Sequence, residues 1–173
     1  FSQDMVRNYY DEHYTRDAIT VSVAGSFDNE TLEAYLNDKF MKLGSKQRED
    51  SKPADCVSPD NLTIYKDIEQ AHICMGIPTV SCTHPFRYKL SMLSTILGGG
   101  MSSRLFQHVR EQKGLAYSVY SMNGFYTTAG TFVIAAGVAI DRVDETLEAV
   151  KEELNKLRDE PVPEHEFTNA KNQ

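Results

Sequence analysis

The chain has 173 residues, of which 40% are hydrophobic and 25% charged, a composition typical of one globular domain rather than of a disordered or membrane-spanning polypeptide. Eighteen Lys and Arg against 25 Asp and Glu give a net charge of −7 at pH 7, which argues against nucleic acid as a partner. The three cysteines, Cys56, Cys74 and Cys82, lack C-x-x-C spacing, so a disulfide scaffold and a cysteine-rich zinc module are excluded. Their odd number favours the cytoplasm or another reducing compartment.

The first third of the chain predicts a helix, a strand and a second helix. Ser2 is suited to cap the first helix, and Asp28 is suited to cap the second. Between them, residues 18–24 alternate apolar and polar side chains, which predicts a strand. Residues 44–61 are rich in Ser, Lys, Asp, Glu and Pro and predict a polar linker within one domain.

The remaining residues predict strands that cluster around helix pairs. The strands are expected at 62–66, 72–77, 115–125 and 131–138. The helices are expected at 86–97, from a cap at Ser102 or Ser103 to before Gly114, and from Val143 to before Pro161. The last two strands are expected to form an antiparallel hairpin. This order favours a single α+β domain over 1–173: a two-layer sandwich with a mainly antiparallel sheet and helices packed on one face. Because the chain opens on Phe1 and closes inside a helical pattern, we expect it to be truncated at both ends.

Histidine spacing gives no metal motif. The five histidines do not recur at intervals that would turn several ligands toward one point, so we expect no metal site within this chain. Residues 9–13 end like the zinc motif H-x-x-E-H, but Tyr9 stands where the first histidine is required.

Three consecutive glycines, Gly98, Gly99 and Gly100, join two predicted helices. Glycine lets a ligand approach the backbone closely, and a helix start offers unpaired N–H groups. A phosphate loop is disfavoured because neither Gly-Lys-Ser/Thr nor G-x-G-x-x-G is present. The alternative is a flexible turn between helices.

Arg110 and Tyr117 lie on either side of Gly114, so that a chain reversal brings both to one rim. A guanidinium and a phenol are able to bind a peptide carbonyl and to stabilise the oxyanion that forms during hydrolysis. On spacing alone, a structural role is the stronger alternative, with Arg110 paired to a nearby Glu and Tyr117 an ordinary strand aromatic.

The string GGGMSSRLFQHVREQKGLAYSV, preceded by EQAHICMGIP, resembles the C-terminal domain of a half-unit in the pitrilysin/insulinase family of zinc metallopeptidases. Mitochondrial processing peptidase belongs to that family. The resemblance covers nearly the whole chain and is most specific over residues 103–118.

The resemblance implies a subunit of two similar α+β domains, of which the first carries H-x-x-E-H and binds zinc. That motif is not in this chain, so the cofactor is expected outside it. A domain of the present kind supplies an Arg/Tyr pair to the zinc site, here Arg110 and Tyr117, which bind substrate and stabilise the transition state. The expected substrate contacts are Gly98, Gly99, Gly100 and Ser103.

The resemblance also implies the partners: a peptide substrate, a zinc-bearing N-terminal domain, and a second half-unit in a homo- or heterodimer. The expected function is that of the substrate-binding domain of a zinc endopeptidase, inactive alone. One alternative is a scaffold or regulatory subunit of the same family; another is a nucleotide-binding module. An extended peptide is also able to add to a free edge of the sheet.

Overall fold

The computed structural model describes residues 1–45 and 60–173 and divides the chain into two compact units, Phe1–Asp50 and Ser51–Gln173. The first unit contains helices α1 (Gln3–His13) and α2 (Asn29–Phe40). Most of the predicted polar linker, residues 46–59, lies outside the described residues, as does Cys56.

Both helices of the first unit begin at the predicted capping residues. The hydroxyl of Ser2 accepts a hydrogen bond of 3.2 Å from the N–H of Met5. The carboxylate of Asp28 accepts from the N–H and the hydroxyl of Thr31 at 2.9 and 2.7 Å. These hydrogen bonds favour the ionised carboxylate and lower the pKa of Asp28. The two predicted helix starts are confirmed.

Two predicted strands are wrong. Residues 18–24 of the first unit and 62–66 of the second are not strands in the structure. Alternating side chains produce a strand only where a neighbouring strand satisfies the backbone N–H and C=O groups. Neither segment pairs with a strand in the described part of the chain, and apolar side chains such as Val21 and Tyr65 remain exposed.

The second unit is organised around an antiparallel sheet of three described strands. They are β1 (Gln70–Thr79), β2 (Ala116–Phe125) and β3 (Gly130–Ala139), in the order β1-β3-β2. The predicted hairpin between β2 and β3 is confirmed. The strand predicted at 72–77 forms as part of β1 and pairs with β3.

Three α-helices and a π-helix within residues 60–173 accompany this sheet. They are α3 (Arg87–Gly98), a π-helix (Phe106–Gln112), α4 (Val143–Asp159) and α5 (Glu164–Asn172). Alternate residues of β3, among them Phe132, Ile134 and Val138, are buried together with residues of the helices, whereas the other face of the sheet is more open. The predicted α+β class is therefore confirmed.

The buried face of α4 is offset from the predicted stripe. The spacing of four and three residues between Val143, Leu147, Val150, Leu154 and Leu157 predicts that these side chains face the core, and Val150 is almost fully buried. Thr146, Ala149 and Glu153 are also buried, whereas the flanking leucines are only half-buried. Small side chains allow the helix to pack closely, and the carboxylate of Glu153 is tolerated because it is paired.

Leu105 anchors the start of the π-helix in the core and is fully buried. We expect Leu105→Ala to lower the free energy of unfolding by about 3 kcal/mol, because it leaves a cavity lined by apolar side chains. Urea unfolding followed by circular dichroism measures the loss. Met101→Ala is the control: its side chain is exposed, and a comparable loss there would contradict the assigned packing.

Candidate functional site

The first glycine of the predicted loop packs against β2. A Cβ added at Gly98 would lie 2.3 Å from the backbone nitrogen of Ser121, closer than any real contact. The hydroxyl of Ser121 also donates a hydrogen bond of 2.9 Å to the carbonyl of Ser94 on α3. Gly98 therefore allows the last turn of α3 to approach the sheet.

Ser103 stabilises the loop from within. Its side chain is buried, and its hydroxyl donates a hydrogen bond of 2.5 Å to the carbonyl of Gly100. Its own carbonyl accepts from the N–H of Gln107 at 2.9 Å, so that the residue begins the next helix. Substrate contacts by Ser103 and the three glycines stay predictions; of the glycines, Gly99 is exposed and Gly100 half-buried.

A cleft of about 330 Å³ separates the loop region from α5. Arg104 crosses the boundary and forms an ion pair with Glu166, with 2.8 Å between Nε and Oε2. Ser102, His165 and Asn169 line the cleft beside this pair. The ion pair ties the helix that carries Arg110 to the last helix of the described chain.

Arg110 is presented by a π-helix, which the sequence pattern did not indicate. The wider hydrogen bonding shows at its end, where the N–H of Lys113 donates to the carbonyl of His108 at 3.1 Å. π-Helices are rare in proteins, and those that do occur are frequently found at functional sites. Gly114 then adopts a φ of +62° and reverses the chain toward β2.

The guanidinium of Arg110 lies on an aromatic platform. Its carbon Cζ is 4.7 Å from the centroid of the Phe106 ring, one turn earlier. Its Nε is 3.9 Å from a carboxylate oxygen of Glu111, at ion-pair but not hydrogen-bond distance, and the side chain is 43% exposed. Phe106 orients the guanidinium while its N–H donors stay accessible. The four-residue spacing of Phe106 and Arg110 could have indicated this platform.

Tyr117 occupies a β-bulge. Ala116 pairs with Val138 and Ser118 pairs with Gly137, so that Tyr117 is the extra residue of β2. Bulges re-aim side chains and are frequent beside active sites. The Tyr117 side chain is 63% exposed, and its hydroxyl has no hydrogen-bond partner among residues 1–45 and 60–173.

The predicted pair therefore lies on consecutive elements of one unit, on either side of the Gly114 turn. Both side chains are exposed, and no hydrogen bond or ring contact joins Arg110 to Tyr117 in the described residues. Neither donor is consumed by the other, and each can donate a hydrogen bond to a group such as a carbonyl oxygen.

The opposite side of the π-helix is held by charged groups of α4. Nδ1 of His108 lies 2.7 Å from Oε1 of the buried Glu153, although off the direction of a well-formed hydrogen bond. A hydrogen bond to the same carboxylate raises the pKa of Lys156. Lys113 forms a hydrogen bond with Glu152 and lowers the pKa of that carboxyl. Sequence periodicity gave no signal for Glu153, since it interrupts an apolar stripe.

The described residues do not fit a zinc ion. Across 1–45 and 60–173, no three side chains of His, Cys, Asp or Glu come together as metal ligands. Over the same ranges, no helix is long and apolar enough to cross a membrane.

Solved structures of other, longer proteins share this fold. A protease from Helicobacter pylori superposes with a TM-score of 0.81 at 19% identity, over 99% of this chain and 43% of that one. A peptidase M16 inactive domain from Pseudomonas fluorescens gives a TM-score of 0.74 at 22% identity, over 99% and 42% of the two chains.

Sequence comparison gives the family. The model of the peptidase M16 inactive domain matches residues 1–173. The uncharacterized zinc protease YmxG of Bacillus subtilis is 36% identical over 177 residues, and an uncharacterized zinc protease of Rickettsia felis is 35% identical over 174. Each alignment covers 100% of this chain but 42% of the relative, so the chain spans less than half the length of these relatives. The chain belongs to the peptidase M16 family and corresponds to its inactive domain.

Proposed function

We propose that this chain is the substrate-binding half of a zinc-dependent endopeptidase. The observation that carries the proposal is the presentation of Arg110 and Tyr117, one on an aromatic platform and the other on a β-bulge. Both side chains keep exposed hydrogen-bond donors beside the Gly114 turn. Arg142 forms a hydrogen bond of 2.7 Å with Glu145, whereas Arg110 lies 3.9 Å from Glu111, too far for a hydrogen bond, so its N–H groups remain available.

The two donors act on the carbonyl group of the bond to be cleaved. The planar guanidinium of Arg110 binds the oxygen and orients the peptide, and the phenol of Tyr117 donates a second hydrogen bond. Both hydrogen bonds strengthen as negative charge develops on that oxygen, so they stabilise the transition state more than the bound substrate.

The zinc-binding domain belongs to another part of the protein in this proposal. Relatives of more than twice the length of this chain are named zinc proteases, and the described residues do not supply three metal ligands. The proposal extends to an N-terminal domain with the zinc motif, to a second half-unit as partner, and to a reducing compartment. The free thiols of Cys74 and Cys82 support the last point.

The test compares residues 1–173 alone with the full-length protein. We expect the isolated chain to bind no stoichiometric zinc at neutral pH and to leave an unfolded peptide intact. The full-length protein is expected to bind one zinc ion per zinc motif and to cleave the peptide. Mass spectrometry of metals and of peptide products measures both. One zinc ion per isolated chain would contradict the proposal that zinc binds outside residues 1–173. A full-length protein without H-x-x-E-H would identify a scaffold subunit instead.

A further inference from the structure

The face of the sheet that turns away from the core has a distinctive composition at one end. Gly137 of the central strand β3 pairs with His72 of β1 on one side and with Ser118 of β2 on the other. The next position of β3 on this face is Ala135, also small. The central strand therefore has little or no side chain on this face, and polar side chains of β1 and β2 flank it.

Three polar side chains converge above Gly137. From the position that a Cβ would occupy on this glycine, Ser118 Oγ lies at 3.1 Å, Gln70 Oε1 at 3.4 Å and His72 Cε1 at 3.9 Å. Side chains of the two outer strands of a sheet are normally separated by the side chain between them. The missing side chain of Gly137 lets them approach one point.

These polar groups have no partner within the described structure. Among residues 1–45 and 60–173, no hydrogen bond or ion pair engages the side chains of Gln70, His72 or Ser118. His72 and Ser118 are exposed and Gln70 is half-buried. The three groups are assembled by the fold, yet they are available to a ligand.

The chemistry of the cluster selects an uncharged ligand with a donor and an acceptor. A carboxamide, an uncharged imidazole and a hydroxyl each combine hydrogen-bond donation with acceptance. An anion would call for Arg or Lys, and a cation for Asp or Glu, none of which belongs to the cluster. A peptide unit, with one N–H and one C=O, matches such a set.

We propose that Gln70, His72 and Ser118 form a recess that hydrogen-bonds to a main-chain amide of an extended peptide beside Tyr117. The inference rests on the proposed function, because Ser118 directly follows the bulged Tyr117 and would contact the same peptide a short distance from the scissile carbonyl. Gly137 is buried under the three side chains, so the peptide contacts their polar groups rather than the backbone of β3. Main-chain recognition is independent of side-chain identity, so the recess would hold peptides of different sequence in one register.

The experiment uses two matched pairs of variants in the full-length protein. Gly137→Ala removes no hydrogen-bonding group but inserts a methyl among the three side chains, whereas Gly76→Ala, on β1 of the same sheet, meets nothing within 4 Å. Ser118→Ala removes one hydroxyl of the recess, and Thr128→Ala removes an exposed hydroxyl of the hairpin turn. We expect the first member of each pair to raise KM by about three- to tenfold, the scale of one hydrogen bond, with little change in kcat. The second members are expected to behave like the wild type.

A second measurement identifies the group that is bound. The amides of one peptide substrate are methylated one at a time, and the KM of each is measured with wild type and with Ser118→Ala. At one position, methylation is expected to raise the KM of the wild type but to leave the KM of Ser118→Ala unchanged. Such non-additivity shows that the methylated amide and the Ser118 hydroxyl take part in the same interaction. Strictly additive effects at every position overturn the recess.

Two failures are distinguishable. If the full-length protein cleaves no peptide, both the proposed function and the proposed recess are contradicted. If cleavage depends on Arg110 and Tyr117 while Gly137→Ala and Ser118→Ala match their controls, the recess alone is overturned. Thermal unfolding accompanies each variant, and Ser118→Ala decides the matter if Gly137→Ala does not fold.

Discussion

Replacing Tyr117 by Phe in the full-length protein is expected to lower kcat by about 100-fold, the typical loss when one donor to a developing oxyanion is removed. The change deletes the phenolic oxygen alone, so the ring, the bulge and the fold remain. Because the hydrogen bond strengthens in the transition state, KM is expected to change much less than kcat. Steady-state cleavage of an unfolded peptide gives both constants.

Arg110→Lys is the companion variant. Lysine keeps the positive charge but loses the planar guanidinium that stacks on Phe106 and that binds a carbonyl with fixed geometry. A loss of activity in Arg110→Lys would show that geometry, not charge alone, is required. Zinc content and the thermal midpoint are expected to be unchanged in both variants, because both side chains are exposed.

The control for Tyr117→Phe is Tyr126→Phe. Tyr126 follows β2 and, like Tyr117, is 63% exposed, so the same atom is removed from the same unit at equal accessibility. Wild-type kinetics are expected for the control. Equal kinetics of Tyr117→Phe and the control would contradict the assignment of a catalytic donor.

The second large effect is expected at Gly98, the first glycine of the loop, and it concerns the stability of the fold rather than catalysis. We expect Gly98→Ala to lower the free energy of unfolding by about 3 kcal/mol or more, because the backbone of Ser121 and Tyr120 lies where the methyl group would go. Backbone atoms cannot rotate away as a side chain can, so α3 would have to separate from β2. The chain has nine tyrosines and no tryptophan, so circular dichroism is the more informative probe of urea unfolding.

Gly100→Ala is the matched variant for Gly98→Ala. The nearest atom to its added methyl is the side-chain oxygen of Gln173 at 3.9 Å, an ordinary contact. Stability is expected to be close to that of the wild type, so any loss of peptide cleavage would reflect the loop's contact with substrate. Equal destabilisation by Gly98→Ala and Gly100→Ala would contradict the packing described for α3 and β2.

Local signals predicted much of the fold. Ser2 and Asp28 begin helices as expected because a helix start has a chemical requirement that the sequence displays directly. The hairpin of β2 and β3 was also predictable, since both strands belong to one short stretch. The strands expected at 18–24 and 62–66 did not form, because alternation states a preference but does not supply a partner strand.

Spacing and resemblance single out Arg110 and Tyr117, and their role as a site stays a prediction. The π-helix and the β-bulge that present these residues were not predicted, because they depend on long-range packing that no local pattern encodes. Glu153 was missed because its burial depends on packing: Lys156 lies one turn away on α4, but His108 reaches the carboxylate only in the folded chain. The side chains that converge above Gly137 come from two different strands. Their proximity depends on the register of all three strands, which the sequence alone does not show.

The extra residue at Tyr117 determines which side chains of β2 face the core and which face away from it. Ala116 and Val119 both face the core although they are three positions apart, an odd interval that a regular strand would divide between opposite faces. Deleting one residue here would leave the strand almost as long, yet it would exchange the inner and outer side chains of everything that follows. Evolution can therefore vary the amino acids on this strand far more easily than it can vary their number.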